Sequence, residues 1–317
     1  MKYYLVLIKI LPLIIFLFLN ISCSSTEDYD NADFTSNVSS SIGGGEPPFT
    51  AVGNAGTILK SADGINWINK SVSVVEDFYN VTYGNSMFLV TGSSTDNVNP
   101  IFYSINGDNW NQTSYSFGYS TGESVYAFDK FIVATHSARI AYSSSFTSWF
   151  TVTVGNNKIA GFAKDNDNDI LYLTDGTSIL MSINLLNWTA VSTGLTGLSY
   201  NGITYGNETL VTAGQGGVAY RRFGIWQKAT VPSVDGTLKI VAYGNNVFVA
   251  AENGSFHTTN NFSDWTKIAV SGLVNQLIYR KGIFIAVGEA GLILTSPDGY
   301  NWTSRTSGIV TNLNDIY

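Results

Sequence analysis

Short apolar runs recur along the chain at a regular interval, with polar turn residues between them. FLVTG from Phe88, FVAAE from Phe248 and FIAVG from Phe284 each stand about twenty residues before a tryptophan. The tryptophans fall at Trp67, Trp110, Trp149, Trp188, Trp226, Trp265 and Trp302, with spacings of 43, 39, 39, 38, 39 and 37. Six residues before them stand Ser61, Ser104, Ser143, Ser182, Tyr220, Thr259 and Ser296, in segments such as SADGINW and SPDGYNW. A further motif, Tyr-Gly-Asn, occurs at Tyr83, Tyr205 and Tyr243, just upstream of an apolar run. Each unit therefore reads as four short strands separated by Gly, Asn and Asp turns.

Four strands in roughly 40 residues, repeated with one Trp per unit, is the pattern of a propeller blade. Seven units predict an all-β fold, a seven-bladed β-propeller of four-stranded antiparallel blades. The first unit, from Phe49, lacks its opening strand, while the tail Leu313-Asn314-Asp315-Ile316-Tyr317 has the apolar spacing of one. The C-terminal strand is expected to pair into the first blade and close the ring, removing an exposed edge.

The SxDGxxW segments resemble the Asp-box (BNR) repeats of sialidases, the sortilin ectodomain and photosystem II assembly-factor propellers, over about residues 49–317. In that family the box is the hairpin turn between the third and fourth strands. The chain departs from it by placing Gly64, Gly107 and Gly299 directly after the third position. It keeps Asp only at Asp63 and Asp298, with Asn106, Asn184 and Asn261 in three other blades. The box residues, with the seven tryptophans, are expected to be structural: Asp or Asn accepts backbone N–H bonds, Gly takes a positive φ and Trp packs between blades.

The N-terminus adds an address. Lys2 and Lys9 precede an apolar run from Ile10 to Leu19 that ends at Asn20-Ile21-Ser22-Cys23, the layout of a signal peptide. Lys9 interrupts the ~20 apolar residues that a spanning helix needs. The segment resembles the lipobox of bacterial lipoproteins, although Leu19 stands four residues before the cysteine and Ile21 is bulky; a plain secretory signal is the competing reading. The resemblance implies a lipid on Cys23 and a protein tethered to a bacterial envelope membrane, with Ser24 after the cysteine leaning toward the outer one. The expected organisation is signal peptide 1–22, lipidated tether 23–48 and propeller 49–317, because 24–48 is Ser, Thr, Asp, Asn and Gly with few large aliphatics. Sequons at Asn80, Asn187 and Asn301 follow from the same composition.

Composition narrows the function. Of the 317 residues 12% are charged, and 23 acidic side chains outnumber 16 Lys and Arg, which argues against nucleic-acid binding. One cysteine excludes an internal disulfide framework. Sialidase chemistry requires an arginine triad, a tyrosine–glutamate pair and an acidic donor. Only Arg139, Arg221, Arg222, Arg280 and Arg305 are present, none of them in the first blade. No HExxH or GxSxG occurs, and His136 and His257 are far apart. No catalysis and no cofactor are expected. The run Asp165, Asp167, Asp169 has alternate acidic ligands like a calcium loop, but Ile170 replaces its glycine and Gly176 its bidentate glutamate.

Two groups of residues are candidates for binding. Counting thirteen back from each Trp gives Asn54, Asn97, His136, Asp175, Glu252 and Glu289, and eleven back gives Gln215; all are polar. They belong to the turns after strand two, on the face that also carries the turns after strand four. A ring of them would favour a polyhydroxylated or cationic ligand, although turns are commonly polar. The longest insertion, Ser114 to Glu123, carries Tyr115, Phe117 and Tyr119, suited to stacking on a sugar, to a partner's groove or to packing between blades. The expected function is a monomeric, membrane-anchored binding or scaffolding propeller for a protein or polar ligand. Its alternatives are a glycan-binding or glycan-cleaving protein and an assembly factor for an envelope complex.

Overall fold

A computed structural model describes residues 46–93, 99–135 and 138–317. The expected lipid-bearing Cys23, the expected signal peptide, most of the expected tether, and Asn97 and His136 of the candidate polar ring lie outside them.

The strands form seven four-stranded antiparallel sheets. Blade one contains Phe49–Gly53, Ile58–Ser61 and Ile68–Asn69, and its innermost strand is the C-terminal Leu313–Ile316. Ala51 faces Ile316 and Val52 faces Asp315, and Thr50 and Tyr317 exchange N–H···O bonds of 3.0 and 2.9 Å. The ring is thus closed by joining the two ends of the propeller, as its sequence predicts.

Burial follows position in the blade. Second strands such as Thr209–Gly214 and Val247–Glu252 are buried at every residue, whereas outer strands such as Thr189–Ala190 are exposed. A middle strand is covered on both faces because adjacent blades pack face to face, so its residues are apolar or small on both sides instead of alternating. Accordingly, each hydrophobic cluster joins two neighbouring blades: Phe49, Leu59 and Leu313 of blade one meet Ile285, Val287 and Ile293 of blade seven. The same holds around the ring, as for Val52 and Phe88 between blades one and two or Leu210 and Tyr172 between blades four and five.

The Tyr-Gly-Asn motif ends an innermost strand and begins the hairpin to the second. Asn85 and Ser86, Asn207 and Glu208, and Asn245 and Asn246 all have positive φ, the two-residue turn that matches strand twist. The glycine serves the neighbouring blade. A methyl group on Gly84 would overlap the ring of Tyr126, and one on Gly206 that of Tyr243.

The SxDGxxW turns join third and fourth strands. Ser61 Oγ accepts the Gly64 N–H at 2.8 Å, Asp63 Oδ1 accepts those of Ile65 and Asn66 at 2.8 Å each, and the Trp67 indole donates to the Gly64 carbonyl at 3.1 Å. The pattern repeats with Asn184 in blade four, Asn261 in blade six and Asp298 in blade seven. In six blades the residue at the fourth position has positive φ. It is glycine at Gly64, Gly107 and Gly299, but Phe146, Leu185 and Phe262 elsewhere, with φ of 64, 67 and 64°. Those three side chains are buried, so packing offsets the ~1 kcal/mol of left-handed strain that a Cβ brings.

The insertion after Trp110 is not a surface loop. Asn111–Phe117 is a seven-residue strand, the outer edge of blade two. Phe117 is 1% exposed, its ring 5.0 Å from that of Trp149 and 6.1 Å from that of Tyr119, while Tyr115 lies 6.1 Å from Trp149. These aromatics fill the seam between blades two and three, which is why the outer strand grows longer there.

Candidate functional site

The innermost strands surround a central channel of about 640 Å3, and at the end where those strands begin it opens into a cavity of about 570 Å3. The cavity is bordered by Tyr79 and Ser93 of blade two, Glu123 of blade three, and Lys158, Asn201 and Lys239 from segments leading into blades four, five and six. It lies on the face formed by the turns after strands two and four. Tyr79 is 39% exposed, and Lys158 and Lys239 extend into solvent around it.

Polar side chains of the innermost strands form a network below the cavity. Asn80 donates to Glu123 Oε2 at 3.4 Å and accepts from the Ser124 hydroxyl, which also meets Thr82. On the adjoining closing strand, Asp315 is 4% exposed and accepts the Val81 N–H at 2.7 Å. Burial pushes the Glu123 carboxyl up to about 7, against the opposing effects of the Asn80 bond and the Lys158 charge. Asp315 is held well above the carboxylate range by burial first and the charge of Glu123 second. Two carboxyl groups that cannot easily ionise together therefore stand beneath an opening flanked by two lysines. The mouth can accept and donate hydrogen bonds and carries charge of both signs.

The polar ring residues are placed differently. Asp175 is buried, and its Oδ1 accepts Thr177 N–H, Thr177 Oγ1 and Ser178 N–H at 3.0, 3.0 and 2.7 Å. Glu252 is buried too: it holds His257 Nε2 and Ser255 Oγ at 2.8 Å each and the Asp235 and Gly236 N–H groups at 2.9 and 3.1 Å. Lys267 approaches the same carboxylate at 3.2 Å. Asn54 accepts from Asn314 at 2.8 Å. Gln215 and Glu289 are exposed, Glu289 beside a separate cleft of blade seven. None of these five borders the channel or its mouth.

Asp165, Asp167 and Asp169 lie on the first hairpin of blade four. Asp165 Oδ1 accepts the N–H groups of Asp167 and Asn168 at 3.1 Å each, and Asp169 pairs with Lys164 at 4.0 Å. Among the described residues no three acidic, histidine or cysteine side chains converge as metal ligands. The arginines are spread over blades three, five and seven, and none borders the channel mouth.

The network that sequence reading passed over has a signal in the sequence. Innermost strands break their apolar alternation with Asn80, Glu123, Gln276 and Asp315, positions that face the channel instead of a neighbouring blade.

No protein-family model and no curated protein matches the chain. Among solved structures, YCF48 bound to D1 peptide is 12% identical over 86% of this chain and 87% of that one, with a TM-score of 0.46. The computationally designed Ika8 protein is 9% identical over 82% and 81%, with a TM-score of 0.51. A nidogen/laminin complex gives 8% identity over 85% and 97%, also with a TM-score of 0.51. At such identities the last two likenesses concern the fold alone.

Proposed function

We propose that this protein is a binding propeller, held to a bacterial envelope membrane by lipid on Cys23, that receives a polypeptide segment of one partner protein at the channel mouth and performs no catalysis. The observation that carries this reading is the cavity itself, bordered from five blades by an exposed tyrosine, two solvent-facing lysines and a carboxyl group. A main chain offers N–H and C=O groups in equal number and side chains of both charges, which such a mixed rim can match. A closed propeller with a concave opening on one face is also what a scaffold or assembly factor needs, and the nidogen/laminin complex is a case in which a chain of this fold occurs with a protein partner. Asp175 and Glu252 hold their own turns, so the recognition surface is Tyr79, Lys158 and Lys239 instead of the polar ring.

The test is a cross-linked pull-down from native membranes with the parent and a Tyr79→Ala, Lys158→Glu, Lys239→Glu variant. The reading expects one protein, recovered in near-equal amount with the parent and lost with the variant. Equal recovery by both proteins removes the partner from the mouth, and absence of any stoichiometric partner rejects the scaffold role.

A further inference from the structure

Blade five breaks the turn pattern, and the break uncovers a second cavity. In six blades the fourth residue of the turn between strands three and four lies against the preceding blade. The Phe262 ring stacks 4.1 Å from Tyr220, Phe146 stands 5.7 Å from Tyr103, and Gly64 abuts Ile285. In blade five Arg222 pairs with Ile225 and Arg221 with Trp226, so the hairpin closes through Phe223 and Gly224 alone. Both have positive φ, 50 and 79°. Arg221 thus occupies the place of the buried Ser or Thr that caps the turn elsewhere, and no turn residue covers the seam with blade four. A cleft of about 480 Å3 lies there instead.

Its chemistry is aromatic and acidic. Tyr172, Tyr205 and Leu210 form part of its wall, and Phe223, 83% exposed, stands at its rim. Three carboxylates border it, Asp165, Asp167 and Glu208, against the single guanidinium of Arg221, whose charge acts on the Tyr172 hydroxyl. Arg222 lies over the Phe223 ring at 5.7 Å and does not border the cleft. Asp165 is engaged by its own hairpin, whereas Asp167 and Glu208 are exposed, and their carboxylates have no hydrogen-bond or ion-pair partner among the described residues. The local field is negative: burial, then the charge of Asp165 and its hydrogen bond and the charge of Asp167, push the Tyr205 phenol up to about 12.

We propose that this cleft between blades four and five receives a lysine side chain of a partner polypeptide, with its ammonium at Asp167 and Glu208 and its alkyl stem against the aromatic wall. Charge complementarity selects that occupant, since an ammonium gains from both carboxylates and from the ring faces. The site is on the face opposite the channel mouth and does not depend on the function proposed above.

The test titrates the full-length protein in detergent micelles with acetyl-Gly-Lys-Gly-amide and, in parallel, with its norleucine counterpart, following the amide resonances of Phe223 and Gly224. The proposal expects saturable shifts with the lysine peptide and about tenfold weaker binding by the norleucine peptide or by the Asp167→Asn, Glu208→Gln variant, as for the loss of two exposed charge pairs. A variant in which the Thr259–Trp265 turn of blade six replaces Arg221–Trp226 restores the cover, and it is expected to lose the shifts with its thermal transition retained. Equal binding of the two peptides, no shifts at Phe223 and Gly224, or unchanged binding in the carboxylate variant would each overturn it.

Discussion

Deleting residues 313–317 removes the innermost strand of blade one, and the size of the loss follows from what those residues touch. Leu313 is fully buried and Ile316 is 3% exposed, so their removal forfeits about 1.5–3 kcal/mol each. Tyr317 leaves the Tyr83 ring at 5.4 Å and the Arg280 guanidinium at 4.5 Å, a loss of ~1–2 kcal/mol. The two Thr50–Tyr317 bonds, the Asp315 bond to the Val81 N–H and the Asn275 bond to the Leu313 carbonyl go too. At ~0.5–1.5 kcal/mol each, these four bonds bring the whole to roughly 6–14 kcal/mol. That matches the full stability of an ordinary domain, about 5–15 kcal/mol. The truncated chain is therefore expected to show no cooperative transition by calorimetry or circular dichroism, while Leu313→Ala melts cooperatively but is weakened by about 2–5 kcal/mol. A truncated protein that melts cooperatively within a few degrees of the parent would refute the closure argument.

Other consequences are open to direct measurement. Glu252→Ala leaves two backbone N–H groups, Ser255 and buried His257 without their acceptor, and urea denaturation is expected to show a loss of about 3–5 kcal/mol. Hydrogen bonds from His257, Ser255 and Lys267, outweighing burial, hold the Glu252 carboxyl down at about 2. Its stabilisation is thus complete above the ordinary carboxylate value near 4.5 and is lost as pH falls toward 2, so the parent's denaturation midpoint should drop across that window more than that of Glu252→Gln. Glu123 has the opposite sign: its raised value means stability is greatest below the ordinary carboxylate range and declines as pH rises through about 7, and Glu123→Gln should flatten that decline in melts run from pH 5 to 8. Leu185→Gly relieves ~1 kcal/mol of left-handed strain but empties a fully packed position at a cost of about 2–5 kcal/mol, so chemical denaturation should show a net loss.

What the sequence makes legible is whatever repeats. Tryptophan spacing and turn residues define the blades because each blade repeats the same four-strand order and packs against a blade on either side, and the missing opening strand at Phe49 announces a closing one at Leu313. Side-chain direction within a turn is not fixed by such counting. Thirteen residues before a Trp does locate a turn, but whether its carboxylate faces solvent depends on nearby donors: Asp175 folds onto Thr177 and Ser178, Glu252 onto the segment that leads into its blade, and Glu289 onto neither. Tyr115 and Phe117 read as an insertion because their burial comes from the seam with the neighbouring blade, including Trp149 and Phe131. The channel residues stayed hidden for a similar reason, since an isolated Asn80 or Asp315 in a strand shows its meaning only when seven strands converge.

The central claim is that the channel mouth is the binding face, and site-specific photo-cross-linking tests it most directly. A photoreactive phenylalanine analogue replaces Tyr79 at the mouth in one protein and Ile65, 40% exposed on a turn between strands three and four, in another, each activated in native membranes. The account predicts one stoichiometric protein adduct from position 79 and none of that species from position 65. The same adduct from both positions, or from position 65 alone, would contradict it.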